Sequence, residues 1–366
     1  MSESAPFAAL GLTTWRQSNN VKTLLLLAAF PVLLLLLLGA IFFFFGLFMG
    51  AGHNAYGYGP WQEFGIQPVL GTGSAFDLAV SAIVAWWPIV LGAATIWVLI
   101  GYFFNDAIIH MATGARAVTR QEQPELYNLL ENLCISRGLT TPKLYIIDSD
   151  VMNAYASGID NKSYAITVTS GLLAVLDKDE LEAVLAHELT HIIDRDTRLL
   201  IITIVFVGMI SFLAQLLWRS IRFATFTRSR SRKGGGGMIV FVLIAAVVMF
   251  VGYLLALVLR FALSRRRELL ADAGSVALTK NPDALIAALL KISKNADLPH
   301  VPSEVRQMFF ENPPSFFDLG GLFATHPSIE KRVQILQQLG GHLPAEAQSA
   351  PVAPEPVPHP PHGPWS

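Results

Sequence analysis

The chain has 366 residues, of which 53% are hydrophobic and only 14% are charged, and its mean hydropathy is +0.49. A soluble protein would carry about a quarter charged residues, so this composition indicates an integral membrane protein. The single cysteine, Cys134, excludes an intrachain disulfide framework and a multi-cysteine metal site. The net charge of −1 favours no particular partner, and we expect no nucleic acid among the partners.

The N-terminal part of the chain is predicted to form two transmembrane helices within residues 23–104. Residues 23–49 are almost uncharged and rich in Leu and Phe, and residues 78–104 form a second apolar run of similar length. The loop between them, residues 50–77, contains no Lys or Arg, whereas both flanks of the pair do. The positive-inside tendency therefore places this loop outside the cell and the N-terminal segment, residues 1–22, in the cytoplasm.

Residues 105–198 have the composition of a soluble domain. Residues 121–137 are predicted to form an amphipathic helix, with a proline near its first turn and a glycine just past its end. Residues 143–148 and 164–169 are rich in β-branched and aromatic side chains and are predicted to be strands. A second helix follows them and leads into the next apolar run.

This second helix carries the pattern H-E-x-x-H at His187, Glu188 and His191. A capping box at Asp177 and Glu180 favours a helix here, and residues four apart lie on one helical face. Both imidazoles can therefore bind one Zn²⁺, with Glu188 beside the open coordination position, where it can take a proton from a water. The alternative is a chance match on an amphipathic helix, and we favour a zinc hydrolase.

A second apolar pair is predicted within residues 199–263, as the runs 199–218 and 238–263. The basic, Gly-rich loop between them violates the positive-inside tendency if both runs cross the membrane, and a hairpin that does not fully cross is the alternative. We favour two spans, which makes about four transmembrane helices in all. Soluble character returns over residues 264–343, and the Pro-rich tail, residues 344–366, is predicted to be disordered.

A catalytic zinc site needs a third protein ligand. The extended motif with a further histidine is excluded because Asp194 and Thr197 occupy its Gly and His positions. Glu268 is the candidate, and Asp272, one turn later, would accept a hydrogen bond from a ligand histidine and fix its tautomer. The alternative is an ordinary charged helix start directly after a membrane segment.

These motifs resemble the M48 family of integral-membrane zinc metalloproteases. The resemblance rests on H-E-x-x-H, on Glu268-x-x-x-Asp272, and on four further motifs in the same order: Asn153–Gly158, Ile166–Gly171, Arg195-Asp196, and Thr325-His326-Pro327 with Arg332. About four spans are similar to the bacterial HtpX-like heat-shock proteases rather than to the seven-span CAAX proteases of the Ste24 type. The resemblance implies a mainly α integral membrane protein with a cytoplasmic, zincin-like α+β metalloprotease domain and a small sheet.

The resemblance also implies roles for residues outside the ligand set. His326 would stabilise the oxyanion or hold Glu268, and Asn153 would donate to the substrate backbone or to the oxyanion; both are equally typical of turns. Arg332 and Asp196 would support the ligands. Substrate would bind along Asn153 and Ala154 and by strand addition to Ile166 and Val168.

We therefore expect an endopeptidase with one Zn²⁺ per chain in the bacterial inner membrane, with both termini and the catalytic domain in the cytoplasm. Its helix should run nearly straight into the membrane, so that the active site lies close to the bilayer. The family resemblance implies quality control of misfolded membrane proteins, with the lipid bilayer and unfolded proteins as partners. The alternatives are a narrow-specificity processing protease of CAAX or propeptide type and a non-catalytic zinc-binding membrane scaffold.

Overall fold

The structure is a computed structural model that describes residues 12–49, 65–67, 69–72, 74–227, 252, 266–294, 309–310 and 327–344. Within these ranges the helices are α1 (Leu12–Met49), α2 (Ala75–Thr113), α3 (Pro124–Ile135), α4 (Ser170–Val175), α5 (Lys178–Ile193), α6 (Asp196–Thr227), α7 (Arg266–Thr279), α8 (Pro282–Ile292) and α9 (Ile329–Gln338). The strands are β1 (Arg116–Ala117), β2 (Lys143–Ile147), β3 (Ala154–Ser157) and β4 (Ala165–Thr169).

Three of the described helices are long and apolar enough to cross a membrane. By length and composition the candidate spans are Gln17–Leu47 in α1, Ala75–Thr113 in α2 and Asp196–Leu213 in α6. They contain all of the predicted span 78–104 and most of the predicted spans 23–49 and 199–218. The predicted fourth span, 238–263, lies outside the described residues apart from Gly252, as do most of the basic loop and of the Pro-rich tail.

The three candidate spans pack against one another through aromatic side chains. Phe30 of α1 stacks on Phe206 of α6 with the ring centroids 4.0 Å apart. The indole N–H of Trp97 in α2 donates to the carbonyl oxygen of Val205 in α6 at 2.9 Å. Gly101 allows this close approach, because a Cβ there would lie 2.5 Å from a methyl carbon of Val205. The start of α6 is thereby held beside both N-terminal helices.

The domain that follows α2 contains a four-stranded mixed sheet of order β1-β2-β4-β3. The predicted strands correspond to β2 and β4, which pair in parallel, while β1 and β3 add antiparallel strands at the two edges. All five residues of β4 are buried, which agrees with a central strand that is covered on both faces. Strand β3 was not predicted as a strand.

The main apolar core lies between this sheet and a layer of helices. Its buried side chains come from α3, α5, α8, α9 and the strands, with Leu130, Leu144, Ile166, Leu185 and Leu289 at its centre. The predicted helix 121–137 is observed as α3, with Pro124 in its first turn. The predicted capping box is present at the start of α5, where Asp177 and Glu180 exchange side-chain and backbone hydrogen bonds.

The junction between α5 and α6 differs from the sequence expectation. The catalytic helix was expected to run nearly straight into the apolar run, but α5 ends at Ile193 and α6 begins at Asp196. Arg195, between them, has a φ of 60°, in the left-handed region that non-glycine residues rarely adopt. A residue in this conformation ends a helix, so the chain breaks between the domain and the membrane helix.

Candidate metal centre

Two facing helices bring the three predicted ligand residues together. His187 and His191 lie one turn apart on α5, and Glu268 lies in the first turn of α7, which packs against α5. His187 Nε2 is 3.2 Å from His191 Nε2, and the Glu268 carboxylate oxygens lie 3.6 Å from His187 Nε2 and 3.8 Å from His191 Nε2. All three side chains are buried. Two imidazole nitrogens and one carboxylate therefore point towards a common position.

The separations of these atoms fit a tetrahedral metal site. Zinc–nitrogen and zinc–oxygen bonds of about 2.0–2.2 Å in a tetrahedron place the ligand atoms roughly 3.3–3.5 Å apart. The three observed distances, 3.2, 3.6 and 3.8 Å, differ from this by a few tenths of an ångström. Two imidazole nitrogens and a carboxylate are also a donor set that zinc accepts. The residues present thus fit a metal ion of this type.

A buried charge network supports His187 on the side away from the ligand group. His187 Nδ1 lies 2.9 Å from Asp272 Oδ1, and Arg332 contacts both Asp272 oxygens through Nη2 at 2.7 Å and Nε at 2.9 Å. Desolvation opposes the charged form of Asp272, but the Arg332 guanidinium outweighs it and lowers the pKa of that carboxyl. Burial also works against a charge on His187, yet contacts with the Asp272 and Glu268 carboxylates raise its pKa to about 9.

A second carboxylate supports His191. Asp196, the first residue of α6, places Oδ2 3.0 Å from His191 Nδ1. Since Asp196 is 3% exposed, this contact is shielded from water. A carboxylate at Nδ1 holds the ring in the tautomer whose Nε2 is unprotonated and available to a metal. Asp196, a predicted supporting residue, therefore contacts a ligand histidine directly. Arg332, also predicted, contacts Asp272 and supports His187 through that carboxylate.

Glu188, the predicted general base, is buried beside the ligand group. Its carboxylate is 1% exposed, and neither oxygen has a hydrogen bond of ordinary geometry within the described ranges. Burial raises the pKa of Glu188, and the neighbouring histidines and the backbone of Ala156 oppose this only in part. Burying a carboxylate without a full set of partners is costly, which is typical of a residue kept for chemistry rather than for stability.

The cleft at Glu188 is small and is closed by two phenylalanines. The cavity has a volume of about 10 Å³, roughly one water molecule, and its lining includes Ala156, His191 and Arg267 with Phe309 and Phe310. The Phe310 ring lies edge-on to His187, with the centroids 4.8 Å apart. This arrangement leaves no room for a peptide.

Strand β4 has no free edge for the expected strand addition. Ile166 and Val168 lie on β4, which pairs with β2 on one side and β3 on the other, so β4 has no free edge and this expectation is wrong. The sheet edge next to the cleft is β3. Phe309 forms an antiparallel bridge with Tyr155 there, and the Phe310 N–H donates to the Ala154 carbonyl oxygen at 2.7 Å. The segment Phe309–Phe310 thus occupies the outer edge of β3.

The remaining predicted site residues, Asn153, Ala154 and His326, are not observed at the cleft in the described part of the chain. Asn153 is buried just before β3; its backbone N–H donates to Thr169 Oγ1, and its side-chain oxygen accepts from the Ala154 N–H. Neither Asn153 nor Ala154 is among the described residues that line the cleft. His326 lies outside the described residues.

Sequence reasoning missed three residues near the centre. Arg267, read only as membrane-flanking charge, places Nε 3.1 Å from Glu268 Oε1. Phe310 carries no local sequence signal, because its position depends on pairing with β3. Asn19 was assigned to a polar N-terminal segment, yet its side chain contacts Asp196. The only sequence signal for a buried role of Asn19 is its uncharged amide side chain next to the apolar run 23–49.

A larger cavity of about 600 Å³ lies on another side of α5. Its lining includes Leu139, Lys162, Ile193, Arg195 and Arg198, and none of the metal-site residues borders it. A reaction site is defined by convergent donors and a buried base rather than by volume alone. The smaller cleft at Glu188 is therefore the candidate active site.

The chain is similar to known proteins of one peptidase family. Residues 120–339 match Peptidase family M48. A Bacteroides fragilis (strain YCH46) protein named "Protease HtpX homolog" is 50% identical over 257 residues, which cover 69% of this chain and 80% of that protein. A protein of the same name from Dictyoglomus turgidum is 40% identical over 240 residues, which cover 65% and 77%. The crystal structure of S. mikatae Ste24p aligns with a TM-score of 0.42 and 21% identity, over 68% of this chain and 58% of that one.

The family match extends over more than half of the chain and includes both helices that carry the ligand group. The HtpX homologs match most of their own length, so the resemblance stated from the motifs is confirmed. The chain belongs to Peptidase family M48, among its HtpX-like membrane metalloproteases.

Proposed function

We propose that this chain is a zinc metalloendopeptidase that hydrolyses peptide bonds of proteins at the cytoplasmic face of the membrane. The observation that carries the proposal is the buried Glu188 beside three converging ligand side chains, His187, His191 and Glu268. One zinc ion per chain would be held by these three residues. When bound, zinc supplies the Lewis acidity that activates water and polarises the scissile carbonyl.

The protein side chains supply the proton transfers. Glu188 takes a proton from the attacking water and delivers it to the leaving amine. The direction of its pKa shift suits a general base, because burial raises the pKa of the Glu188 carboxyl and a more basic carboxylate accepts a proton more readily. Asp272 and Asp196 keep the two imidazoles oriented, so that neither ring has to reorganise during the reaction. Arg332 balances the buried charge of Asp272.

We further propose that substrate is engaged as an extended segment along β3. Its backbone groups would pair with those of Ala154 and Ala156 on the outer edge of β3, in place of the segment Phe309–Phe310 that occupies this edge in the structure. Asn153 and His326 would donate hydrogen bonds to the developing oxyanion. Such backbone pairing reads little of the side-chain sequence, which suits the varied segments exposed by misfolded membrane proteins. Quality control of such proteins is the role we propose.

The cytoplasmic orientation is proposed from charge. The loop 50–77 lacks Lys and Arg, whereas the chain on either side of the first helix pair contains them. The start of α6 also joins the metal centre directly to a candidate span, which supports a site close to the bilayer surface.

The proposal is tested by proteolysis of an unfolded substrate. Purified full-length chain in detergent with zinc is compared with Glu188→Gln, which retains the shape of the side chain, for cleavage of casein. Glu182→Gln, on the same helix, is the matched control. Loss of a general base should slow cleavage by at least about 100-fold. The parent and the control should be equally active, and a chelator should inhibit both.

The other outcomes discriminate among the alternatives. Zinc binding by the parent without cleavage of casein would overturn a general endopeptidase; subsequent cleavage of a single membrane or prenylated substrate would establish a processing enzyme. Zinc binding without any hydrolysis would establish a scaffold. Equal cleavage by the parent and Glu188→Gln would trace the activity to a contaminant and reject the assigned base.

A further inference from the structure

The break between α5 and α6 places a supporting carboxylate against the metal centre. Because Arg195 adopts a φ of 60°, the chain turns after α5, and Asp196 is brought back to His191 Nδ1 at 3.0 Å. A non-glycine residue in the left-handed region is strained and persists only when neighbouring structure holds it. The contacts that hold this turn come from helix α1, 175 residues earlier in the chain.

Helix α1 holds all three residues of the turn. The side-chain amide nitrogen of Asn19 donates to the Asp194 carbonyl oxygen at 3.0 Å and to Asp196 Oδ1 at 2.6 Å. Arg195 in turn donates from Nη1 to Asn20 Oδ1 at 3.0 Å. Both partners of the Asn19 amide are acceptors, so the amide can only present its NH₂ group to them. Asn19 is 1% exposed, so these bonds are shielded from solvent.

We propose that Asn19 is a positioning residue for the metal centre, acting through Asp196 on His191. One oxygen of Asp196 is held by Asn19 and the other contacts His191, so the carboxylate cannot rotate without breaking one of the two bonds. A fixed carboxylate fixes the tautomer and the ring plane of His191, and with them the direction of Nε2. The first membrane helix therefore completes the support of a site whose ligands lie on other helices. This inference rests on the metal site of the proposed function.

The experiment measures metal binding rather than proteolysis. Full-length parent, Asn19→Ala and Asn19→Asp are compared for Zn²⁺ affinity by chelator competition and for the visible spectrum after Co²⁺ loading. Asn19→Asp retains the side-chain shape but replaces the donor with a carboxylate next to Asp196, which keeps the test valid should Asn19→Ala fold poorly. Gln17→Ala, an exposed amide in the same helix, is the control.

The expected result is a 10- to 100-fold lower Zn²⁺ affinity in both Asn19 variants and a shifted Co²⁺ spectrum, while the control matches the parent. Asn19→Ala should have no further effect in an Asp196→Ala background, because its route to the metal runs through that carboxylate. Parent-like affinity, or an effect that adds fully to Asp196→Ala, overturns the proposal and leaves Asn19 a purely structural residue.

The zinc-binding experiment on Asn19 and the proteolysis experiment on Glu188 can fail independently of each other. If the parent binds zinc without Glu188-dependent proteolysis, the protease assignment fails while the Asn19 coupling is still measured. If the parent hydrolyses casein and Asn19→Ala retains full zinc affinity, only the positioning role fails. A parent that binds no zinc overturns both.

Discussion

The ionisable side chains around His187 alternate in charge from one residue to the next. Arg332 neutralises Asp272, Asp272 faces His187, and His187 faces Glu268. Because all four are buried, each depends on its neighbours for compensation, and removing one leaves the next uncompensated. The buried Arg332 is 60 positions from Asp272, so the C-terminal helix α9 is part of the support of the metal centre.

The protonation of His187 makes metal binding depend on pH. In the metal-free protein its pKa is raised to about 9, so the imidazole is protonated at neutral pH and a metal must displace that proton. Zinc affinity should therefore fall as pH decreases, by up to about tenfold per unit below pH 9.

Zinc titrations at about pH 7 and about pH 9, with proton release measured in buffers of different ionisation enthalpy, check this expectation. One proton released per zinc near neutral pH supports it. An affinity that is constant over this range would show that His187 is neutral before the metal binds.

At the scale of elements, the metal centre depends on how closely α5 and α7 approach. Gly274 on α7 faces Thr190 on α5, and a Cβ at Gly274 would lie 2.4 Å from Thr190 Cγ2 and 2.6 Å from Oγ1. Thr190 cannot easily rotate away, because its hydroxyl donates to the Ala186 carbonyl oxygen at 2.8 Å and the side chain is buried. The absence of a side chain at Gly274 thus sets the distance between Glu268 and the histidines.

Gly274→Ala should separate the two helices, lowering both zinc affinity and stability, the latter by about 1–3 kcal/mol. Thr190→Ala in the same chain should restore part of the loss, because it removes both atoms that clash. Zinc competition and thermal unfolding measure the two effects. The matched control is Gly208→Ala on α6, where a Cβ meets nothing within 4 Å. Wild-type zinc affinity in Gly274→Ala would show that α5 and α7 can separate without disturbing the ligands.

The elements that could be predicted from sequence are those whose signals are local. The capping box of α5 joins residues three apart in the sequence. The apolar runs that form α1 and α2 can be identified from their composition alone. Strand β3 carries no such signal, because four residues of Ala, Tyr and Ser become a strand through pairing with β4 and Phe309. The break between α5 and α6 could not be predicted either, because Arg195 is held there by a hydrogen bond to Asn20, which is 175 residues away in the sequence.

In the candidate site, too, the residues with a local sequence signal were predicted and those placed by tertiary contacts were not. His187 and His191 follow from helical spacing, and Glu268 from the need for a third ligand, so their convergence was predictable. Asn19 and Phe310 were not, because each reaches the centre through a tertiary contact that no periodicity reveals. The roles of all these residues remain predictions until the variants are measured.

At the scale of the whole molecule, the ligand group joins two parts of the chain, one before and one after helix α6. A metal that binds only the folded chain stabilises it, by about 4 kcal/mol at a thousandfold excess over Kd. Removing zinc with a chelator should therefore lower the Tm of the full-length protein by several degrees.

The Glu268→Ala variant provides the control, since a chain without the third ligand has little zinc to lose. Its Tm should be lower at the outset and insensitive to chelator. Differential scanning fluorimetry in detergent, with and without chelator, measures both proteins. An unchanged Tm in the parent would show that the two halves are held together by protein contacts alone.

The order of the ligands along the chain has a consequence for biosynthesis. The ribosome makes the H-E-x-x-H helix first, then the α6 membrane helix, and only afterwards Glu268 with its supporting residues Asp272 and Arg332. A nascent chain therefore carries the base and two imidazoles without the residue that completes their metal site. If the proposed function holds, a chain that has not yet reached Glu268 lacks the third ligand, so we expect hydrolysis to begin only after α6 and α7 have been made.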